Sequence, residues 1–257
     1  MSRSIAAASL ALALALLAPV ARAQQAAPAP SPADVARDAG KKLDAFETKQ
    51  ARAVLEPLSP QAASNADVAI ALGRLLEQEK KYDESAAVLR KAADVAPSDP
   101  RVPLWLGETL LRARKTADAD ASFRRAVDLA GKAVATRPAD ADALLVQGTA
   151  LSRLRRYDEA VAALERARGL DGGRPETLYQ MGATRAFQQK WADAVTLLSQ
   201  SLEKDTGTAL AYYYRALAHE KLGRKDLMIV DLDRFVKVAP TAPEADRARA
   251  LLASAKR

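Results

Sequence analysis

Three sets of residues recur through this chain with a common spacing. Each set advances by 34, 41, 34 and 34 positions, and each keeps one size of side chain at most of its places. The sets are Gly73, Gly107, Gly148, Gly182 and Ala216; Ser85, Ala119, Ala160, Ala194 and Met228; and Leu89, Phe123, Leu164, Leu198 and Leu232. A period of this length predicts a solenoid of stacked helical hairpins with an extended concave surface.

Residues 66–99 show the repeat most clearly. Ala69, Leu72 and Leu76 fall on one helical face of the first half, and Val88 and Leu89 fall on one face of the second half. The polar stretch EKKYDE lies between them and predicts a tight turn. The unit is therefore expected to be two helices joined by a short connection.

The same unit resembles a tetratricopeptide repeat. The resemblance rests on the pair Leu72-Gly73, the run Tyr82-Asp83-Glu84, the small residues Ser85 and Ala92, and Pro97. It implies an all-α fold, a right-handed α-solenoid of antiparallel helix hairpins. Five repeats are assigned on this basis within 66–242, at 66–99, 100–140, 141–174, 175–208 and 209–242. The second is seven residues too long, and the excess at 131–137 predicts either a longer second helix or a docking element.

The two ends of the chain differ from the repeats. Residues 1–23 read as a signal peptide, with Arg3 before an apolar run and an Ala-x-Ala site before Gln24. The apolar run of about 14 residues is short for a membrane anchor. Residues 24–32 predict a disordered lead-in and 33–65 a degenerate N-terminal helical repeat. Residues 243–257 predict a capping helix, begun by a capping box of Thr241 and Glu244.

Composition narrows the compartment and the partner. A cleaved signal peptide predicts a periplasmic or secreted protein with a mature chain from Gln24, and the absence of Cys leaves no thiolate metal site. The net charge of +7 suits an acidic partner or an anionic surface, although scattered solubilising Arg explains it equally well. Nucleic-acid binding is not expected, because no motif interleaves basic and aromatic residues. No membrane span is expected in the mature chain.

The resemblance also implies a partner-binding groove. In this family the fifth position of each repeat points into the inner groove, and the thirteenth is usually inward as well. These positions are Ile70, Leu104, Leu145, Tyr179 and Tyr213, followed by Arg112, Arg153, Phe187 and Lys221, with Gln78 in the first repeat. An apolar floor beside Arg predicts an extended or helical peptide ligand with acidic residues or a free carboxylate. The alternative is that these apolar residues pack within the chain itself.

Catalysis finds little support in the sequence. The single histidine, His219, occupies the repeat position that holds Leu76 and Leu110 in earlier repeats, so we expect it inside a hairpin. No cofactor, metal ligand set or catalytic residue is assigned. The sequence therefore predicts an exported scaffold that binds peptides or proteins, in an envelope assembly or secretion complex. A periplasmic chaperone that holds unfolded clients is the alternative, and the partner and oligomeric state stay open.

Overall fold

The fold is all-helical across residues 29–255, which are the residues that the computed structural model describes. The predicted signal peptide, most of the lead-in and residues 256–257 lie outside this range. The described residues form thirteen α-helices and one 3-10 helix, without a strand among them. Each helix packs mainly on the helices before and after it. The all-α solenoid predicted from the sequence is therefore confirmed.

The helices keep a regular order along the chain. They are α1 (Pro32–Asp44), α2 (Thr48–Leu55), α3 (Ala66–Gln78), α4 (Tyr82–Val95), α5 (Arg101–Arg112), α6 (Thr116–Thr136), α7 (Ala141–Arg153), α8 (Tyr157–Asp171), α9 (Pro175–Phe187), α10 (Trp191–Lys204), α11 (Ala209–Lys221), α12 (Lys225–Val238) and α13 (Ala245–Ala255). The 3-10 helix (Glu56–Ala63) follows α2. The first helices of successive hairpins, from α3 to α11, contact one another and line what we call the inner face.

The turn inside each repeat contains one residue in the left-handed region. These residues, with their φ angles, are Lys80 (63°), Arg114 (61°), Arg155 (60°), Gln189 (62°) and Gly223 (70°). The next N–H then bonds back to the carbonyl five residues earlier, as in Lys81 N to Leu76 O at 2.8 Å. This bond satisfies a carbonyl that the helix end would leave free. Four of the five turns accept the strain of a side chain in this conformation.

The small residues of the repeat mark where the two helices of a hairpin come closest. A Cβ placed on Gly107 would lie 2.5 Å from Phe123, and one placed on Gly148 would lie 2.5 Å from Leu164. Side chains of the large apolar set thus fill the space that glycine leaves. The spacing of small and large residues seen in the sequence is the spacing of these contacts.

The seven extra residues of the second repeat lengthen one helix. Helix α6 has 21 residues, whereas α4 has 14. Leu129 and Ala130 are buried, and the following turns, which include Lys132 and Thr136, are largely exposed. The extension therefore continues the helix without interrupting the stack.

The C-terminal helix packs on the last repeat, but its predicted capping box does not form. Ala248 and Leu252 of α13 are buried against the C-terminal core. Glu244 precedes the helix, and its carboxylate accepts a hydrogen bond from Arg112. A contact with a distant helix has taken the place of the local cap.

The first hairpin also reaches the C-terminal end of the solenoid. Phe46 lies in the turn between α1 and α2 and packs against the core cluster formed by α9 to α13. Close to this turn, Gln78 of α3 donates to the carbonyl of Leu43 at 2.6 Å. The inner face is consequently crossed by contacts between the first and last parts of the described chain.

Candidate functional site

The structure does not leave the apolar fifth positions open as a groove floor. Ile70, Leu104, Tyr179 and Tyr213 expose only 8%, 7%, 8% and 3% of their surface. Each belongs to a core cluster of the chain, and Leu145 is half-buried against another. The alternative of self-packing is therefore the one observed for these four residues. The expectation of a continuous apolar floor is corrected, because neighbouring helices already cover it.

The two arginines predicted to grip a partner are paired within the chain. Arg112 Nη1 donates to Glu244 Oε1 at 2.8 Å, and its Nε lies 3.5 Å from Glu77 Oε1. Arg153 Nε donates to Glu108 Oε1 at 2.6 Å. We call these contacts the inner ion pairs. The expectation of free basic side chains is thus wrong for both arginines.

The inner ion pairs lie in a largely water-excluded place. Burial raises the pKa of Glu77 to about 7, even though the nearby Arg112 favours the ionised form. Burial alone would lower the pKa of Arg153, but Glu108 offsets this and the net shift is upward. The site therefore holds three carboxylates against two guanidinium groups, with one carboxyl that ionises only near neutral pH.

Sequence reasoning missed the acidic members of this arrangement. Glu108 lies on α5 four residues before Arg112, so its position on an inward helical face was available from periodicity. Glu244 was not, because it lies 132 positions from its partner and in a different element. Only the curvature of the whole solenoid brings the two together.

Aromatic residues gather beside the inner ion pairs at the C-terminal end. Phe187 meets Tyr214 edge to face with ring centroids 5.5 Å apart, and Tyr213 meets Tyr214 at 5.5 Å. Tyr179 lies 6.2 Å from Tyr214. Burial raises the pKa of Tyr179 and of Tyr214, so both hydroxyls stay neutral at physiological pH. These rings extend the inner face as a rigid apolar surface.

A pocket of about 370 Å³ opens in this aromatic region, and we call it the aromatic pocket. Its walls come from α9, α10 and α11 and from the residues around the start of α13. The lining includes Phe187, Trp191, Tyr213, Tyr214, Leu217, Lys221, Glu220, Glu244 and Arg247. Lys221 and Arg247 are exposed, whereas the aromatic residues are buried or half-buried. Of the nine residues predicted for the groove, Phe187, Tyr213 and Lys221 meet here.

His219 lies inside the last repeat, as expected. It is buried, and its Nε2 lies 3.9 Å from Asp231 Oδ2. Burial lowers its pKa, so the imidazole is neutral at pH 7. Within residues 29–255, no group of three or more His, Asp or Glu residues is placed to hold a metal ion. Over the same range, no helix is both long enough and apolar enough to cross a membrane.

This chain is similar to several known proteins. One solved structure, a thermophilic TPR protein from Thermus thermophilus, is 21% identical with a TM-score of 0.58, covering 75% of this chain and 99% of that one. Another, the type IV pilus biogenesis factor PilW, is 16% identical with a TM-score of 0.48, covering 84% of this chain and 96% of that one. The tetratricopeptide repeat model matches residues 42–100, 70–132, 104–175 and 179–227. With most of its length matched and its hairpins stacked as described, the chain belongs to the tetratricopeptide repeat family.

Proposed function

We propose that this chain is an exported scaffold that binds a peptide segment of a protein partner in the aromatic pocket. The observation that carries the proposal is the concentration of incompletely covered rings in one concave place. Phe187, Trp191 and Tyr214 are only half-buried there, whereas Ile70 and Leu104, on the inner face of earlier repeats, are buried. Rigid aromatic side chains in a pocket are typical anchors of protein interfaces.

The charges around the pocket favour a peptide in which an acidic residue stands next to the residue that enters the pocket. Lys221 and Arg247 are exposed in its lining, while the carboxylate of Glu244 is already paired with Arg112. A guanidinium grips a carboxylate through two parallel hydrogen bonds. The proposed ligand is thus a peptide with an apolar or aromatic residue beside Asp or Glu.

The proposed binding site contains fewer residues than the groove predicted from the sequence. Phe187 and Lys221 keep a direct role in binding, and the buried Tyr213 forms the back wall of the pocket. Ile70, Leu104 and Tyr179 are assigned to three core clusters of the solenoid, and Leu145 is half-buried against a fourth. Arg153 is assigned to positioning, because its guanidinium lies 6.0 Å from the ring centre of Phe187 while paired with Glu108.

Trp191 gives a direct test, because the chain has only two tryptophans. In a Trp105→Phe variant, Trp191 is the sole indole and reports on the pocket. We expect a saturable emission change with a short peptide that carries Phe next to Glu, and a weaker response when Lys replaces that Glu. Lys221→Glu with Arg247→Glu should weaken binding, most clearly at low salt. The matched control is Lys237→Glu, an exposed change on α12, which should leave binding unchanged. An unresponsive Trp191, or equal responses to both peptides, contradicts the proposal.

The holdase alternative predicts a different pattern. A holdase suppresses the aggregation of many unrelated unfolded proteins, and the double charge reversal at the pocket would not alter that activity. A selective scaffold binds the acidic peptide and leaves general aggregation unaffected. The two assays on the same variants therefore separate the two functions.

Export is part of the proposal and rests on residues 1–23. We infer cleavage before Gln24 and a place in an envelope assembly or secretion complex, since the signal directs the chain out of the cytoplasm. N-terminal sequencing of the protein from fractionated cells is the test. A chain that begins at Gln24 in the periplasm or medium supports export, and an intact Met1 in the cytoplasm contradicts it.

A further inference from the structure

We propose that Arg112 is a carboxylate-binding seat for the partner, and that Glu244 is an internal occupant that an acidic side chain of the partner displaces. This inference rests on the proposed function and specifies where the acidic residue of the ligand binds. It also assigns a regulatory role to the segment before α13, since the seat is closed in the free protein.

The contact between Glu244 and Arg112 resembles the binding of a ligand carboxylate. Glu244 reaches Arg112 from a segment that follows the last repeat, and the two residues are 132 positions apart. Arg112 lies at the end of α5 on the inner face, where a partner would enter a solenoid of this kind. A carboxylate from outside the repeats thus already occupies the position predicted for a peptide's carboxylate.

The carboxylate of Glu244 is incompletely satisfied in this place. Oε1 accepts from Arg112, but Oε2 is buried and has no hydrogen-bond partner among the described residues. A buried polar atom without a partner is destabilising, because it has lost its hydrogen bonds to water and gained none in the protein. The internal contact is therefore weaker than a carboxylate bound through both oxygens, and a better-placed acidic group has an advantage over it.

The side chain of Glu244 can move while the backbone that carries it stays in place. Residues 239–244 connect α12 to α13 without a regular helix, and Pro240, Thr241 and Pro243 are exposed. Ala242 and Ala245, on either side of Glu244, are buried in the C-terminal core. Glu244 can therefore leave the seat by rotation about its own side-chain bonds while α13 stays docked on the last repeat.

The seat and the aromatic pocket form one continuous site through Glu244. The same side chain that binds Arg112 also lines the pocket. Its departure would free Nη1 of the guanidinium, with Glu77 still 3.5 Å from Nε, and would enlarge the pocket at the same time. A ligand with an acidic residue beside an apolar one matches both consequences.

Arg153 does not offer a second seat. Its partner Glu108 belongs to the neighbouring first helix, α5, and the Arg153 side chain is only 18% exposed, compared with 30% for Arg112. Both members of that pair are fixed within the repeats. Of these two arginines, Arg112 alone is paired with a residue outside them.

The test compares full-length variants against two probe peptides that differ only in Glu or Gln beside the same Phe. Glu244→Gln keeps the size of the side chain and removes the internal carboxylate. We expect the Glu peptide to bind this variant about fivefold or more tightly than the wild type. The Gln peptide should bind both forms alike. Arg112→Gln should reduce the preference for Glu over Gln to the part that Lys221 and Arg247 supply. Asp246→Asn, an exposed change in the first turn of α13, should have no effect.

The outcomes separate this inference from the proposed function. Equal affinity of the Glu peptide for the wild type and for Glu244→Gln overturns the seat while the aromatic pocket stands. Failure of every form to bind either peptide overturns both. A gain in Glu244→Gln that persists after Arg112→Gln also overturns the seat, because the gain would then come from another group.

Discussion

Arg112 and Glu244 join the second repeat to the segment that precedes the C-terminal helix. Their Nη1 and Oε1 atoms lie 2.8 Å apart, and Glu77 approaches the same guanidinium at 3.5 Å. Pairing across such a separation turns an open row of hairpins into a structure whose inner face is crossed by its own side chains. The inner face therefore carries a small aromatic pocket and an arginine paired within the chain, in place of a long bare groove.

The close approach of hairpin helices predicts opposite effects for two glycines of the same repeat. Gly148→Ala places a methyl group 2.5 Å from Leu164 and 3.0 Å from a backbone oxygen, so we expect a loss of about 1–3 kcal/mol. Gly169→Ala, late in α8, meets nothing within 4 Å and should stabilise the helix by about 0.5–1 kcal/mol. Urea unfolding of both variants measures the difference. Equal effects would mean that the helices are not packed as described.

The left-handed turn residues predict a second pair of opposite changes. Arg155 has a φ of 60° although it is not glycine, so Arg155→Gly should relieve strain and stabilise by about 1 kcal/mol. Gly223 has a φ of 70° in an open place, so Gly223→Ala should destabilise by a similar amount. Thermal unfolding at one pH gives both values. Destabilisation by Arg155→Gly contradicts the turn geometry.

Burial of Glu77 predicts a stability that falls as pH rises. Its folded pKa of about 7 exceeds its usual value of 4.5, so the folded chain holds this proton more tightly than the unfolded chain does. Ionisation therefore weakens the fold progressively between pH 4.5 and 7. Glu77→Gln does not titrate, and we expect it to exceed the wild type by about 1–3 kcal/mol at pH 8 and to match it near pH 4.

Glu79 supplies a control of opposite sign for that measurement. Burial would raise its pKa, but hydrogen bonds from Arg52 prevail and the net shift is downward. Its stabilising effect is present above pH 4.5 and is lost as pH falls further, so Glu79→Gln should be less stable than the wild type at neutral pH. Chemical denaturation from pH 4 to 8 tests both variants. A gain from Glu77→Gln that is the same at every pH would contradict the burial of that carboxyl.

These residues also show what the sequence was able to predict. The hairpins were predictable from the spacing of small and large residues. Gly148 and Leu164 meet within one repeat, and the equivalent residues pack in the same way in the other repeats. The open groove predicted from the sequence was not observed. Burial of Tyr213 depends on its aromatic neighbours and on α13, and the earlier repeats do not share these surroundings. The local sequence predicted that Glu244 caps α13. The curvature of the solenoid instead brings the guanidinium of Arg112 near, and Glu244 pairs with it. Long-range pairing of this kind leaves no periodic signal in a single sequence.

A double-mutant cycle shows whether Arg112 and Glu244 interact across the inner face. The measurement is the free energy of unfolding of the wild type, Arg112→Ala, Glu244→Ala and the double variant at neutral pH and low salt. We expect this contact to have a favourable coupling energy of about 1 kcal/mol or more, so that the two single losses together exceed the loss in the double variant by that amount. Strict additivity of the two losses would contradict it, because residues that do not touch do not couple.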